Sequence, residues 1–505
     1  MALWFWTTLI SSLTGARREA NIEEVARAQL EQLASSAPIA GVLGRARLGE
    51  ADDARKAGLV GKDNGLILGT IDGLPVRYAG EGHVAVYAPT GAGKGRDVIL
   101  PNLGLVTDQS FIVIDPKNGD TTWACWDRRK QLNPGRTSAF NPYGRFGIGS
   151  VGINPLDRVV ERLAKRSGYL GAAMAMSAAL VPIPPNVREA WPQVGAQELI
   201  TIASLHLAHT DKANCCLPEV YLRLVRSSKD VVSYLKEVAQ SDTPGGIPGL
   251  AAGAVATIEE SGGQWVAIAQ EVRNGLAFVA PDEAATPHMR RTTLDIARFK
   301  REPCSLFIIS PADELSGVAG KTQQIVLDYL LEMLASTDGP VRTTFILDEF
   351  QNIGTSVQLP KSLNMYRSQG IQLVFFIHDP EQLGTKYTPG FAKAVYSAST
   401  VRLLWSLEDE ELLRKVEYLS GRATVRVLTY NTSPGPSGSA GFSIVEQPRP
   451  LLQVEDTRLL GDKRMLMHIR GQSFYVIDNL AYFDIEETQS LRDPRTVRSD
   501  SQLEP

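Results

Sequence analysis

Only four cysteines occur among the 505 residues, Cys125, Cys215, Cys216 and Cys304, and no two of them form a CxxC pair. That excludes a disulfide scaffold for a chain this long, excludes the usual zinc-site spacings, and fits a reducing compartment. An excess of basic charge is also missing: 52 Lys and Arg against 56 Asp and Glu leave a net charge of −4. Any nucleic acid must therefore be held by local clusters of Lys and Arg. The apolar start, Ala2 to Thr14, precedes Arg17–Arg18 and falls short of the ~20 residues that span a bilayer. It also lacks the basic n-region of a signal peptide. Three readings of it stay open: ordinary packing of an amphipathic segment, a membrane-surface anchor with Trp4 and Trp6 at the interface, or the remnant of a longer anchor. What is present is ordinary. With 43% hydrophobic and 21% charged residues, the chain is neither wholly disordered nor a multi-span membrane protein. Its length corresponds to roughly three domains, or to one large domain with an insertion.

The spacing of apolar residues predicts a helix over 18–35 and a hairpin over 65–80 around Asp72–Gly73. Short β-branched runs follow at 83–88, 110–115, 305–310, 343–348, 371–378, 401–407 and 474–478. Most do not alternate, so they read as strands buried on both faces, as in the parallel sheet of an α/β protein. From about Asp157 to Asp282 the periodicity is helical, broken by Pro and Gly at 182–185 and 244–249, and reads as an all-helical domain inserted into the sheet domain. The stretch 431–441 and the polar tail after about Glu487 read as flexible. There is no internal repeat.

The strongest chemical signal is HVAVYAPTGAGKGR, 83–96. A buried strand enters a glycine turn ending in Gly93–Lys94, and an apolar helix begins. Such a strand–turn–helix can surround phosphate with backbone N–H groups while the lysine reaches the β/γ oxygens. The candidate phosphate loop is Pro89, Thr90, Gly91, Ala92, Gly93, Lys94, Gly95 and Arg96. It departs from GxxxxGK[ST] twice: Ala88 replaces the first glycine, and Gly95 replaces the Ser or Thr that normally ligates Mg²⁺. The second signal is TTFILDEF, 343–350, an apolar run ending in Asp348–Glu349. Beside a phosphate loop, Asp348 suits Mg²⁺ and Glu349 suits orientation or deprotonation of the attacking water; alone, the pair would read as two solvated acids at a turn. The third is the strand ending in His378, whose polar side chain would reach the same sheet edge and sense the γ-phosphate, or else cap its own strand. His206 and His209 lack a Cys or acidic partner that would complete a metal site, and Trp123 and Trp126, one helical turn apart, read as core or interface.

Several segments together resemble the coupling-protein ATPases of conjugation and type IV secretion, the TraG/TraD-like family. They are GRARLGEADDARKAGL with GLILG, APTGAGKG with VILPNLG, FIVIDPKNGD, INPLD, FILDEFQNIG, SGRATVRV and MLMHIRGQSFYVIDNLAYF, in family order from about Gly44 to Asp484. The resemblance implies an α/β fold: a RecA-like P-loop motor domain with a mainly parallel sheet and an inserted all-α domain. The implied division is an N-terminal helical segment with a membrane-contact option (1–43), the nucleotide-binding domain in two parts (44–156 and 283–486), the all-α insertion (157–282) and a flexible tail (487–505). It implies ATP with Mg²⁺, a homo-hexamer, and ATP-driven delivery of relaxase-bound single-stranded DNA or effector proteins into a secretion channel. The work would be done at the cytoplasmic face of the bacterial inner membrane, with inner-membrane channel components as partners. Arg367 matches the family's arginine that acts in trans on a neighbour's nucleotide; otherwise it pairs with an acid or a DNA phosphate. His378 stands where the family usually has Gln. Two membrane-spanning helices are expected ahead of this region and are absent from the sequence, so the implied protein is either shortened or docked through Ala2–Thr14 or another membrane protein. Two rivals remain at this level: a nucleotide-gated adaptor that binds substrate without pumping, and a cytosolic DNA motor unrelated to secretion.

Overall fold

The structure is a computed structural model that describes residues 43–184, 187–349, 355–387, 390–432, 440–461 and 463–494. The segments expected at Ala2–Thr14 and 18–35, most of the flexible stretch 431–441, and the end of the tail lie outside these residues. The chain divides into two compact units, Ala54–Leu404 with Ile477–Pro505, and Met1–Asp53 with Trp405–Val476.

The larger unit opens with an antiparallel hairpin, β1 (Leu66–Ile71) and β2 (Leu74–Tyr78). Asp72 and Gly73 both have positive φ, 50° and 73°, which is the turn geometry that a two-residue hairpin favours. Seven parallel strands follow: β3 (His83–Tyr87), β4 (Ser110–Asp115), β5 (Thr137–Phe140), β6 (Ser305–Ile309), β7 (Thr343–Leu347), β8 (Ile371–Ile377) and β9 (Ser399–Leu404). They lie side by side in the order β9-β3-β8-β7-β4-β6-β5. Every residue of β3, β4, β6, β7 and β8 is buried, which is why these runs carry no alternation. Between β5 and β6 the described residues form α-helices at 157–164, 169–180, 191–210, 217–224, 228–239, 247–260 and 262–276.

Three expectations change. The run at 474–478 is not part of the parallel set: in β13 (Phe474–Asp478), Asp478 pairs antiparallel with Thr70 of β1. Strand β9 ends at Leu404, where the chain passes into the smaller unit. The tail after Glu487 packs against the fold over its first residues. Thr488 and Leu491 are buried, the Thr488 hydroxyl donates to the Tyr482 carbonyl at 2.5 Å, and the Arg492 guanidinium lies 4.0 Å over the Trp123 ring while pairing with Asp127. A polar composition concealed two anchors and a cation–π contact. Trp126 packs edge-on to Phe307.

The smaller unit contains a long antiparallel ribbon, β10 (Arg422–Thr432) with β11 (Ala440–Pro450), the helix Glu410–Ser420, and β12 (Arg464–Ile469). Gly49 lies against Tyr475, where an added Cβ would come within 2.3 Å of the ring. No helix among the described residues is long and apolar enough to cross a membrane.

A buried cation holds the larger unit together behind the phosphate-loop candidate. Arg129 is 0% exposed and donates to the Leu103 and Val106 carbonyls (3.2 and 2.7 Å) and to the Ser305 hydroxyl (2.9 Å). Its guanidinium faces the Phe111 ring at 5.2 Å, and burial lowers its pKa to about 10. It thereby closes the C-terminal end of the helical segment that starts at Lys94. Truncation would leave two carbonyls unsatisfied as well as a void. Arg129→Ala is expected to cost about 3 kcal/mol or more in the unfolding transition of this unit, measured by denaturant titration. A loss below about 1 kcal/mol would show that water replaces the clamp.

Candidate nucleotide site

The β-branched, fully buried run of β3 delivers the chain to the carboxyl edge of the sheet, and Ala88 still bonds across to β8 through Ala88 N–H to the Ile377 carbonyl. Ala88 is buried, so the first glycine position of the usual motif is filled here by a small packed side chain. Gly91 and Gly93 have φ of 83° and 96°, and a Cβ on Gly93 would meet the Arg96 guanidinium and the Asp97 carboxylate. Helical backbone begins at Lys94, passes through a π-type turn over Gly95–Ile99, and continues over Leu100–Leu105. Asn102 ties this helix to β1 by bonding both the N–H and the carbonyl of Ile67 at 2.8 Å. An added Cβ at Gly95 would meet nothing within 4 Å, so the missing Ser or Thr is not a steric exclusion.

Four predicted site residues come together at this edge. Lys94 is 6% exposed, and its Nζ donates to the Ala88 and Pro89 carbonyls (2.9 and 2.8 Å) and to His378 Nδ1 (2.7 Å). Burial pulls its pKa down to about 8, against the attraction of Asp348. An ammonium has no acceptor, so His378 Nδ1 must be the unprotonated nitrogen and Nε2 carries the proton. That nitrogen faces Glu349 Oε1 at 3.6 Å. The Thr90 hydroxyl is 3.5 Å from the same His378 Nδ1. Asp348 is nearly buried, which raises its pKa, while Glu349 is held down to about 2 by His378 first and then by Lys117. Glu349 has a φ of 46°, in the left-handed region that non-glycine residues seldom adopt.

Lys117 is the group at this edge that the residue patterns did not single out. It follows β4, next to β7 in the sheet, and its Nζ bridges Glu349 Oε1 (2.7 Å) and Asp348 Oδ2 (3.4 Å). Burial lowers its pKa, but the two acids overcome that and leave it raised. The signal was available in Asp-Pro-Lys at the end of a buried strand. The turn behind it is fixed by Asn118, at φ 60°, whose side chain accepts from the Ala312 N–H. Asp115 is buried, its pKa pushed up to about 7, and accepts from both the N–H and the hydroxyl of Thr122, which anchors the helix Asp120–Leu132. Arg96 turns aside to pair with Asp97, which also accepts from Asn479.

Arg367 does not join these groups within the chain. It is exposed and sits before β8, whereas His378 follows β8. Seven strand residues put the two ends of β8 roughly 20 Å apart. His206 contacts the Thr243 hydroxyl and the Tyr234 ring, and His209 pairs with Asp242. Among the described residues no cluster of three or more His, Cys, Asp or Glu forms a metal cage.

A solved structure of the bacterial conjugative coupling protein TrwBdeltaN70 in an unbound form matches with a TM-score of 0.62 at 14% identity, over 90% of this chain and 98% of that one. The plasmid coupling protein TrwB in complex with the non-hydrolysable ATP analogue ADPNP matches with a TM-score of 0.64, also at 14% identity, over 88% and 96%. These likenesses give the fold, a RecA-like P-loop α/β architecture with a large, mostly parallel sheet. In sequence, the conjugal transfer protein TraG of Escherichia coli is 24% identical over 77% of this chain and 63% of its own length, and VirD4 of Rhizobium rhizogenes is 24% identical over 40% and 30%. The chain thus spans less than two thirds of the length of these relatives. The family described as type IV secretory system conjugative DNA transfer matches residues 39–504, and the protein belongs to it.

Proposed function

We propose that the protein is an ATP-driven coupling protein that recruits relaxase-bound single-stranded DNA, or an effector protein, and moves it into a type IV secretion channel as a homo-hexamer at the cytoplasmic face of the inner membrane. The observation that carries this reading is the convergence of Lys94, His378, Glu349, Asp348 and Lys117 on the carboxyl edge of β3, β4, β7 and β8. Two cations and two acids in one place form a site for a polyanion that can also be cut. The TrwB structures with ADPNP and with ADP and Mg²⁺ support ATP and Mg²⁺ for this chain.

Lys94 is positioned to exchange its carbonyl partners for β/γ-phosphate oxygens, an exchange that returns a poorly solvated ammonium to anionic neighbours. Thr90, Gly91, Ala92, Gly93, Gly95 and Arg96 supply the surrounding backbone. The donor set fits Mg²⁺ held through Asp348, phosphate and water, because one buried carboxylate with no cage is how such ions are bound beside phosphate. Bound there, Mg²⁺ would neutralise phosphate charge. Glu349 is ionised at neutral pH and can accept a proton from water only after its contacts with Lys117 and His378 loosen. His378 carries its proton on Nε2 and can offer it to a phosphate oxygen. Arg367, on the opposite edge, would act on a neighbouring subunit's nucleotide.

The adaptor reading keeps one observation in its favour, the open space at Gly95 where a Ser or Thr would fit and none is present. Glu349→Gln separates the two: it is expected to retain ATP binding and lose hydrolysis by at least ~100-fold, together with DNA transfer. Transfer at the parental rate in a hydrolysis-dead variant would establish the adaptor.

Lys94→Ala is expected to abolish turnover and weaken ATP binding. In the unliganded wild type Lys94 is half-protonated near pH 8, and bound phosphate favours the ammonium. Binding therefore takes up a proton near that pH, and ATP affinity falls as pH rises through about 8, by up to tenfold per unit. Calorimetry in buffers of different ionisation enthalpy reads the uptake directly. Equal affinity at about pH 7 and pH 9 would show that Lys94 is already fully protonated in the empty site.

If Arg367 acts in trans, turnover per subunit rises with protein concentration and with single-stranded DNA, and Arg367→Ala removes most of that rise, up to the ~10³–10⁵ typical of such arginines, with nucleotide affinity nearly intact. Mixing Arg367→Ala with Glu349→Gln subunits should recover part of it. A constant specific rate from dilute subunits upward would refute the assignment.

A further inference from the structure

Ahead of Arg367, the stretch Ser356–Gln358 is held by a buried carboxylate. Asp328, on the helix Val318–Ala335, is 3% exposed. It accepts from the Ser356 hydroxyl, from the Val357 and Gln358 N–H groups (both 3.3 Å), and from Gln324 Nε2 (3.1 Å). Its partners lead toward Arg367. The Ser356 hydroxyl accepts from the Leu359 N–H at 3.0 Å and so starts the helix Leu359–Met365. Gln358 Oε1 accepts from the Tyr366 hydroxyl at 3.0 Å, which fixes the far end of that helix beside Arg367. A left-handed Gly370, at φ 66°, then turns the chain into β8, and Lys300 Nζ holds the Gln369 and Gly370 carbonyls at 2.6 and 3.1 Å. Every step from Asp328 to Tyr366 is a buried or half-buried hydrogen bond.

We infer that Asp328 is a positioning residue for Arg367: it fixes Ser356–Gln358, hence the helix Leu359–Met365, hence the exposed guanidinium offered to the adjoining subunit. The inference rests on the reading of Arg367 as the group that acts in trans. Asparagine at 328 keeps size and one acceptor but cannot accept from four donors with a full carboxylate, and a charged acceptor makes the stronger bonds. A guanidinium displaced by about 1 Å loses much of its effect on a transition state.

The test uses the full chain. Asp328→Asn is expected to bind a fluorescent ATP analogue within about twofold of wild type, yet lose at least ~10-fold of the concentration-dependent rise in turnover. Because its own Lys94, Asp348 and Glu349 are untouched, it should be rescued by added Glu349→Gln subunits, which still offer Arg367. The double variant Asp328→Asn/Arg367→Ala should be no slower than Arg367→Ala alone. Ser356→Ala, a milder change in the same clamp, should show the same pattern at smaller amplitude, which covers the case in which Asp328→Asn does not fold. Wild-type turnover in Asp328→Asn, failure of rescue, or a multiplicative double variant would overturn the positioning role while leaving Arg367 in trans intact. Unchanged turnover in Arg367→Ala would overturn both.

Discussion

The chemistry of this molecule depends on the cost of burying the Lys94 ammonium. A nearly buried cation with no paired carboxylate in contact must find acceptors, and it finds the Ala88 and Pro89 carbonyls and His378. Those acceptors exist because β3 lies between β8 and β9, so the turn after β3 and the end of β8 share an edge. The parallel pairing is in turn a consequence of strands apolar enough to be buried on both faces. On the proposed function, a phosphate would compete for Lys94 against partners that are adequate but weaker than an anion, so the site would be stable when empty and still favour a polyanion.

The same economy governs the acids. Glu349 and Asp348 end a fully buried strand, and Lys117 from the neighbouring strand end supplies the counter-charge. A buried carboxylate pair without a cation would have to protonate. With Lys117 in place Glu349 stays ionised, but its proton affinity is too low for a good base. If Glu349 activates water as proposed, the resting arrangement would keep it quiet until phosphate charge redistributed Lys117 and His378. On the proposed function, that is a physical reason for the site not to hydrolyse nucleotide before it is engaged.

The legible part of the sequence was the part where burial leaves a continuous signal. β3, β4, β6, β7 and β8 were apparent as unbroken apolar runs, and Lys94, Asp348, Glu349 and His378 followed because each stands at the end of one. β5 was not apparent, since Thr-Ser-Ala-Phe is too short and too mixed to stand out. In β10, Ala423, Thr424 and Val425 are buried in succession between the exposed Arg422 and Arg426, and in β11 Val445–Pro448 are all exposed, so neither strand shows a period of two there. Arg492 on Trp123 joins residues nearly 370 positions apart, and no local pattern announces it. Asp328 is the sharpest case: within a helix it looks like any solvated acid, and only the return of Ser356–Gln358 to the same place reveals its burial.

Arg367 is the predicted site residue that stands apart from the others. Within one subunit the cation lies a strand's length from the acids, where it stabilises nothing at Lys94 and is exposed to solvent. Exposed cations gain little from surface pairing, so a strongly built support beneath one calls for a reason. The support here is substantial: Asp328, Ser356, Gln358, Tyr366 and Lys300 all fix the backbone that presents it. A rigid mount beneath an exposed side chain is what the proposed action on a neighbouring copy would require. In a closed ring with identical interfaces, the edge of the sheet carrying Arg367 on one subunit faces a different surface of the next. A heterologous contact of that kind would let the nucleotide edge of one copy meet the arginine edge of its neighbour, and hydrolysis would then report assembly.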